Sequence, residues 1–428
     1  MVVLRFDCRD LLKSARLAFS FQRLWIQFLG LSVGYLAYVL LTYLSLLAAG
    51  HNLGTLWSSY GLLPSALGNP LPWFSWILFG LGVAVLVFSW LVTATGVARA
   101  TYMHLKGNTF YTWKQAFRFA LNKKGGSVVS TPIAVLFIAL FLVLGGVIVG
   151  LLGRIPYLGE LGVSLFSVVW YLTSLFLVFV IVVLGVSLLV TPAVLATTDD
   201  DAFEGIFQSF SLLYSQPWRL ILYHLFVVVI AIVSFGVFAF FAKKAWGVMT
   251  TVLVWGMGEK YGDLSYAASG LVQNWVYPAV VWSRTILGDA SSFFFFTRDF
   301  SSIPLPVVMT AASWIFAVLL VVIGTFVLSY PLAVFNAGST LAFLILKKKK
   351  DDENLLERKD KEEEEDLQTS DEEKKEEEKV EKMTEEGAKP SFPQTAPAKK
   401  AVRKPAVKKT PKKTKPASKS RKKPAKKR

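Results

Sequence analysis

Side chains able to do chemistry are few in this sequence and poorly spaced for it. His51, His104 and His224 lie far apart and lack the companion ligands of a metal site. Cys8 is the single cysteine, so neither an internal disulfide nor a cysteine-built metal centre is open to the chain. Asp199, Asp200 and Asp201 imitate a metal cluster. Three consecutive residues on a helix point in different directions, however, and acids at a helix start suit its positive dipole end. No Walker loop, GxSxG elbow or dinucleotide fingerprint occurs. Ionisable groups within apolar segments mark catalytic or ion-coupled sites, and His224 alone qualifies. A backbone-paired interfacial histidine accounts for it. The sequence thus predicts no enzyme, no catalytic residue, no cofactor and no metal.

What remains is binding chemistry at the C-terminus. Residues 387–428 hold 17 Lys/Arg and no acid, mixed with Pro, Ala, Thr and Ser. The candidate binding residues are Lys399, Lys400, Arg403, Lys404, Lys408, Lys409, Lys412, Lys413, Lys415, Arg421, Lys422, Lys423, Lys426, Lys427 and Arg428. This run resembles linker-histone-like Lys/Ala/Pro tails by composition. Such a segment neutralises phosphates and takes nucleic acid without sequence preference, through counterion release. Phe392 is its only aromatic residue, so it offers no base-stacking platform. DNA or ribosomal RNA is one partner class, anionic lipid on the same membrane face is a second, and a solvated spacer neutralised by its own acidic neighbour is a third reading. That neighbour, residues 347–386, opens with Lys347 to Lys350 and is then dominated by Glu with interspersed Lys, including Glu362 to Glu365, a coiled-coil-like composition. Neither segment has the apolar content to fold alone, which predicts disorder.

Charge divides the chain. Its 428 residues carry a formal +16; residues 1–346 hold 18 Lys/Arg and 11 Asp/Glu, residues 347–428 hold 28 and 19. The first part must therefore supply whatever positions the tail. Six long runs in it lack any Asp, Glu, Lys or Arg: 24–49, 73–98, 128–152, 163–195, 220–241 and 307–330. Each meets the roughly 20-residue requirement for a helix crossing a bilayer. The first run exceeds the roughly 7–15 residues of a signal-peptide core and reads as a retained helix. The fourth exceeds a perpendicular span, so tilt or projection is expected. Pro192 and Pro331 are natural kink or exit points. Arg and Lys collect in residues 1–23 and 99–124, whereas the 51–72 loop has none and the 153–162 loop only Arg154. The lysine and arginine bias puts both termini in the cytosol and the number of crossings even; a bacterial inner membrane is the default location.

A short amphipathic segment precedes every odd-numbered run. The apolar positions are Leu4, Cys8, Leu11, Leu12, Ala15 and Phe19 in the first, and Phe110, Trp113, Phe117, Ala120 and Leu121 in the second. In the third they are Phe203, Ile206, Phe207, Phe210, Leu213 and Tyr214, with Thr198 placed to cap it. The pattern is either a threefold repeat or ordinary juxtamembrane amphipathicity. Gly30 with Gly34, and Gly146 with Gly150, have the GxxxG spacing of close-packed membrane helices. Residues 242–304, rich in aromatics, read as external, with interfacial or re-entrant helices. The fold class expected is an all-α polytopic membrane protein: about six transmembrane helices in three hairpins, each preceded by a cytosolic amphipathic helix, plus a disordered C-terminal tail.

The run Leu189-Val190-Thr191-Pro192-Ala193-Val194-Leu195, then Glu204-Gly205-Ile206, Ser209-Phe210 and Trp218-Arg219, resembles the membrane domain found on glycerophosphoryl diester phosphodiesterases. It departs in having Gly205 where Ala is usual and in lacking a soluble phosphodiesterase domain. The resemblance implies a six-helix, non-catalytic membrane module. Together these readings give a non-enzymatic membrane protein whose basic tail tethers nucleic acid or ribosomes. The alternative is a transporter or channel-like module for a neutral or amphipathic solute, using polar side chains such as Thr42, Gln273 and Asn336, with the tail as an accessory.

Overall fold

The computed structural model describes residues 4–67, 69–288 and 304–358. The acidic segment from 359 onward, and with it every binding residue named between Lys399 and Arg428, lies outside the described residues. Every regular element among them is a helix. A 3₁₀ turn, Cys8–Leu12, leads into α1 (Lys13–Ala18) and α2 (Phe21–Ala48); α3 (Leu53–Tyr60) precedes α4 (Trp73–Lys106). Next, α5 (Trp113–Arg118) passes through a π-helical turn, Phe119–Lys123, into α6 (Gly125–Leu152), and α7 (Leu158–Leu165) precedes α8 (Ser167–Thr198). The series ends with α9 (Ala202–Ser215), α10 (Pro217–Met257), α11 (Glu259–Trp275), α12 (Tyr277–Leu287) and α13 (Val307–Asp351).

Six of these, α2, α4, α6, α8, α10 and α13, are long and apolar enough to cross a membrane. Their surfaces say what surrounds them. On α6, Phe137, Phe141 and Leu144 are 68%, 76% and 56% exposed. A helix apolar all round yet uncovered by protein needs an apolar solvent, which a bilayer provides. Length is the main departure from the sequence reading. The fifth apolar run does not stop near 241, so Lys243 and Lys244 lie inside a continuous 41-residue α10. The sixth passes through Pro331 and ends only at Asp351. At 1.5 Å per residue α13 is about 68 Å long, against a hydrocarbon core of about 30 Å. His104 sits on the last turns of α4, which runs on past the apolar stretch that ends at 98. Neither Pro192 nor Pro331 ends a helix. A missing ladder bond is tolerated where neighbouring helices hold the backbone in place, and residues 190–198 and 333–346 are mostly buried.

Long helices pair in chain order: α2 along α4, α6 along α8, α10 along α13. The C-terminal parts of α4, α8 and α13 also meet one another, where Ala98, Ala100, Ala193, Ala196, Ala337 and Ala342 are buried. Side chains this small let backbones approach. Two of the short helices lean on the long helix before them, α5 on α4 and α9 on α8, while α1 reaches across to α13. Of the two GxxxG pairs only the first is a seam. A Cβ on Gly30 would fall 1.7 Å from Thr93 Oγ1, and one on Gly34 2.5 Å from Ser89 Cβ, whereas Gly146 and Gly150 face nothing within 4 Å. The Ser89 hydroxyl donates to the Gly30 carbonyl at 2.7 Å across the same seam.

The short helices bury part of their apolar stripe, Leu4, Leu11, Ala120 and Leu213 among it, and turn the rest outward. On α9, Phe203, Phe207 and Tyr214 are 77%, 54% and 85% exposed, while Gly205, Gln208, Ser209 and Leu212 are buried. A Cβ on Gly205 would lie 2.8 Å from Thr131 Oγ1 on α6, which is why glycine stands there. Beside α5, Phe110 is 90% exposed while Ala116, Phe119 and Ala120 are buried. In the first segment Leu4 and Leu11 are buried, but Cys8, Leu12 and Phe19 are exposed. Aromatic rings favour the headgroup zone, so outward rims of this kind suit a helix lying at a membrane interface.

Candidate functional site

The end of the bundle where α1, α5, α9 and the last turn of α13 meet gathers most of the charge. Helix α8 ends there, and its last carbonyls need donors from outside the helix. One buried cation serves a carbonyl of the last turn, and a second serves the two residues that follow it. Arg99, fully buried on α4, donates to the Ala196 carbonyl at 3.0 Å, and its guanidinium lies 4.3 Å from the centre of the Phe119 ring. Lys124 Nζ donates to the carbonyls of Asp199 and Asp200 at 2.9 and 3.0 Å, and pairs with the Asp199 carboxylate at 2.9 Å. Both partners of this ion pair are buried, with side chains 8% and 5% exposed.

The aspartate triplet therefore divides its work. Asp199 takes the left-handed conformation that ends α8, with φ 55°. Asp200 pairs with Arg358 at 3.6 Å. Asp201 is the residue preceding α9, where the dipole argument placed it. Thr198 does not cap α9: it is the last residue of α8, and its hydroxyl donates to the Val194 carbonyl.

The segment that leads into the C-terminal tail is fastened to this same end. After α13 the chain reverses at Asp352, whose φ is 55°. The Lys348 ammonium, hydrogen-bonded to Asp352, holds that carboxyl below its usual range. Leu355, 2% exposed, inserts into the main core cluster. Its carbonyl accepts from the Tyr102 hydroxyl at 2.8 Å, and the Arg358 carbonyl accepts from Lys106 Nζ at 3.0 Å. The four lysines ending α13 are also engaged: Lys347 with Asp351, Lys348 with Asp352, Lys349 with Asp7, and Lys350 with the Ser211 hydroxyl. Two of these partners lie four residues on, and the other two, Asp7 and Ser211, are remote in sequence.

The remaining candidates do not converge. His51 begins the loop before α3, His104 lies on α4, and His224 Nδ1 sits 2.9 Å from the Leu220 carbonyl. No three His, Cys, Asp or Glu among the described residues form a group able to hold a metal ion. The Asn336 amide donates to Gln27 Oε1 at 2.8 Å, a buried pair joining α13 to α2. Thr42 is 15 residues further along α2, beside Gly82 of α4, and Gln273 is on α11. The three polar residues stand on three different helices. No protein family, curated protein or solved structure matches the chain.

Proposed function

We propose that this chain is a non-enzymatic multi-pass membrane anchor that presents a polybasic segment to nucleic acid, as duplex DNA or ribosomal RNA, at the cytosolic membrane face. The membrane part is three helical hairpins, each preceded by an interfacial amphipathic helix. It is a module of the kind that the resemblance to phosphodiesterase membrane domains implies. Lysine and arginine collect on the loops at the end where α1, α5 and α9 lie, so that end is cytosolic and both termini share it. The observation that carries the reading is the fastening of residues 352–358. Leu355 is buried, and Tyr102, Lys106 and Asp200 hold the segment around it. A charged tail needs no such root to be soluble. A tail that must transmit a tether's load to membrane helices does.

The test is co-sedimentation of duplex DNA and of ribosomal RNA with proteoliposomes made from zwitterionic lipid and the full chain. Vesicles carrying the intact chain bring nucleic acid down, and vesicles carrying a variant with the cations of 387–428 changed to Gln do not. Equal sedimentation with both, or with neither, rejects the proposal.

A further inference from the structure

A cavity of about 740 Å³ opens where α1 gives way to α2, walled by Arg16, Phe19, Gln22, Arg23, His104 and Tyr330 among others. Its composition is one-sided. Three basic side chains face it, and among the described residues no carboxylate pairs with Arg16 or Arg23. Arg23 is the informative one. It is 4% exposed, its Nε has no hydrogen-bond partner, and its one hydrogen bond, from Nη1 to the Ala100 carbonyl, is long at 3.4 Å. A guanidinium offers five N–H donors and cannot shed its charge. Burying one with its Nε unpartnered and no carboxylate beside it is costly, and such groups near a membrane are kept for function.

Backbone geometry adds to the field. The chain leaves helical conformation at Phe19 and Ser20 and re-enters it at Phe21. The 28-residue α2 therefore presents its first-turn N–H groups at the same opening, without a side-chain cap from Ser20. Free N–H groups and the positive end of the dipole favour an anion. Opposite the polar wall stands an aromatic one: Phe19 packs edge-on to Tyr330 at 5.7 Å and Phe238 at 6.1 Å, and is still 63% exposed.

We propose that this cavity binds a phosphate-bearing anion, with the Arg23 guanidinium making the buried contact and Arg16 closing the mouth. A planar guanidinium matches phosphate oxygens two at a time. The apolar wall next to an α2 that enters the membrane suits an anionic phospholipid headgroup, and a free phosphate would use the same donors. None of the residues that line the site belongs to the C-terminal tail.

The full chain in neutral detergent is titrated calorimetrically with short-chain phosphatidylglycerol, short-chain phosphatidylcholine and inorganic phosphate. Four forms are compared: wild type, Arg16→Gln, Arg23→Gln and Arg219→Gln. The last removes the same charge from the start of α10, and all four keep the tail. Saturable phosphatidylglycerol binding is expected in wild type and in Arg219→Gln, weakened at least about tenfold in Arg16→Gln and in Arg23→Gln, as loss of one charge-assisted hydrogen bond requires. Arg16 is exposed, so its variant folds even if burial makes the Arg23 change disruptive. Phosphatidylglycerol bound without displacement by inorganic phosphate identifies the lipid as ligand, and full displacement identifies the anion itself; either supports the site. No saturable binding by wild type, or equal binding by Arg16→Gln and wild type, overturns it.

Discussion

Changing Asp199 to Asn removes one charge and little else. Asn tolerates the left-handed conformation that Asp199 adopts at φ 55°, so backbone strain is not added. What is lost is the carboxylate 2.9 Å from Lys124 Nζ, in a pair whose side chains are 8% and 5% exposed. Removing one partner of a buried pair costs about 3–5 kcal/mol, because the other charge stays buried without compensation. Lys124 retains the Asp199 and Asp200 carbonyls, which places the expected loss at the lower end, about 3 kcal/mol. Lys124→Met removes the carboxylate's ion-pair partner and also the donor to the Asp199 and Asp200 carbonyls, so it costs at least as much. In the double variant no buried charge is left alone, and a coupling of about 2 kcal/mol is expected from the cycle. The assay is reversible unfolding of the full chain in mixed micelles, followed by far-ultraviolet circular dichroism. Additive single losses, or an Asp199→Asn cost under about 1 kcal/mol, would refute the claim that this pair locks the end of α8 to the start of α6.

Three further outcomes follow from the same contacts. Gly30→Ala puts a Cβ 1.7 Å from Thr93 Oγ1 and should cost about 1–3 kcal/mol by overpacking. Gly146→Ala and Gly150→Ala, which face open space, should stay within about 0.5 kcal/mol of wild type in the same unfolding assay. Cys8, exposed and alone, reports topology directly: a membrane-impermeant maleimide should label it in inside-out vesicles and spare it in sealed right-side-out ones. The reverse pattern would place the tail on the wrong side for its proposed partner. Leu355→Asp should free the tail's root, seen as faster tryptic cleavage at Arg358 with the membrane helices intact; unchanged cleavage would mean that the buried Leu355 contact does not hold the segment.

The membrane helices were legible because uninterrupted apolar runs have one physical explanation. Their ends were not. In α13 the apolar stretch continues past Pro331 as Leu332 to Leu346, and only packing against neighbouring helices reveals that the proline is carried inside the helix. The amphipathic helices were legible by period, but not which of their apolar residues bury and which turn outward. The rule that apolar residues point inward presumes water outside, and beside a lipid interface Phe203, Phe207 and Tyr214 can face outward while Ser209 and Gln208 pack within. The aspartate triplet read as a helix start because Lys124, 75 residues earlier, gives no local sign of being its partner. Arg23 looked like one more positive-inside residue. Its burial and unpartnered Nε depend on where α1, α4 and α13 come together, and nothing in its neighbours' sequence says so.

The central claim is that the basic segment 387–428 gathers nucleic acid at the membrane. The direct measurement is binding of a fluorescent duplex to the full chain in zwitterionic nanodiscs across a salt series. If about eight of the 17 cations in 387–428 engage phosphates, log affinity falls against log salt with a slope of about −7, roughly ten-thousandfold between 50 and 200 mM. That steep slope, abolished when those cations become Gln, is the predicted result. Salt-insensitive binding, or binding that survives the neutralised tail, would contradict the account and return the function to the membrane helices.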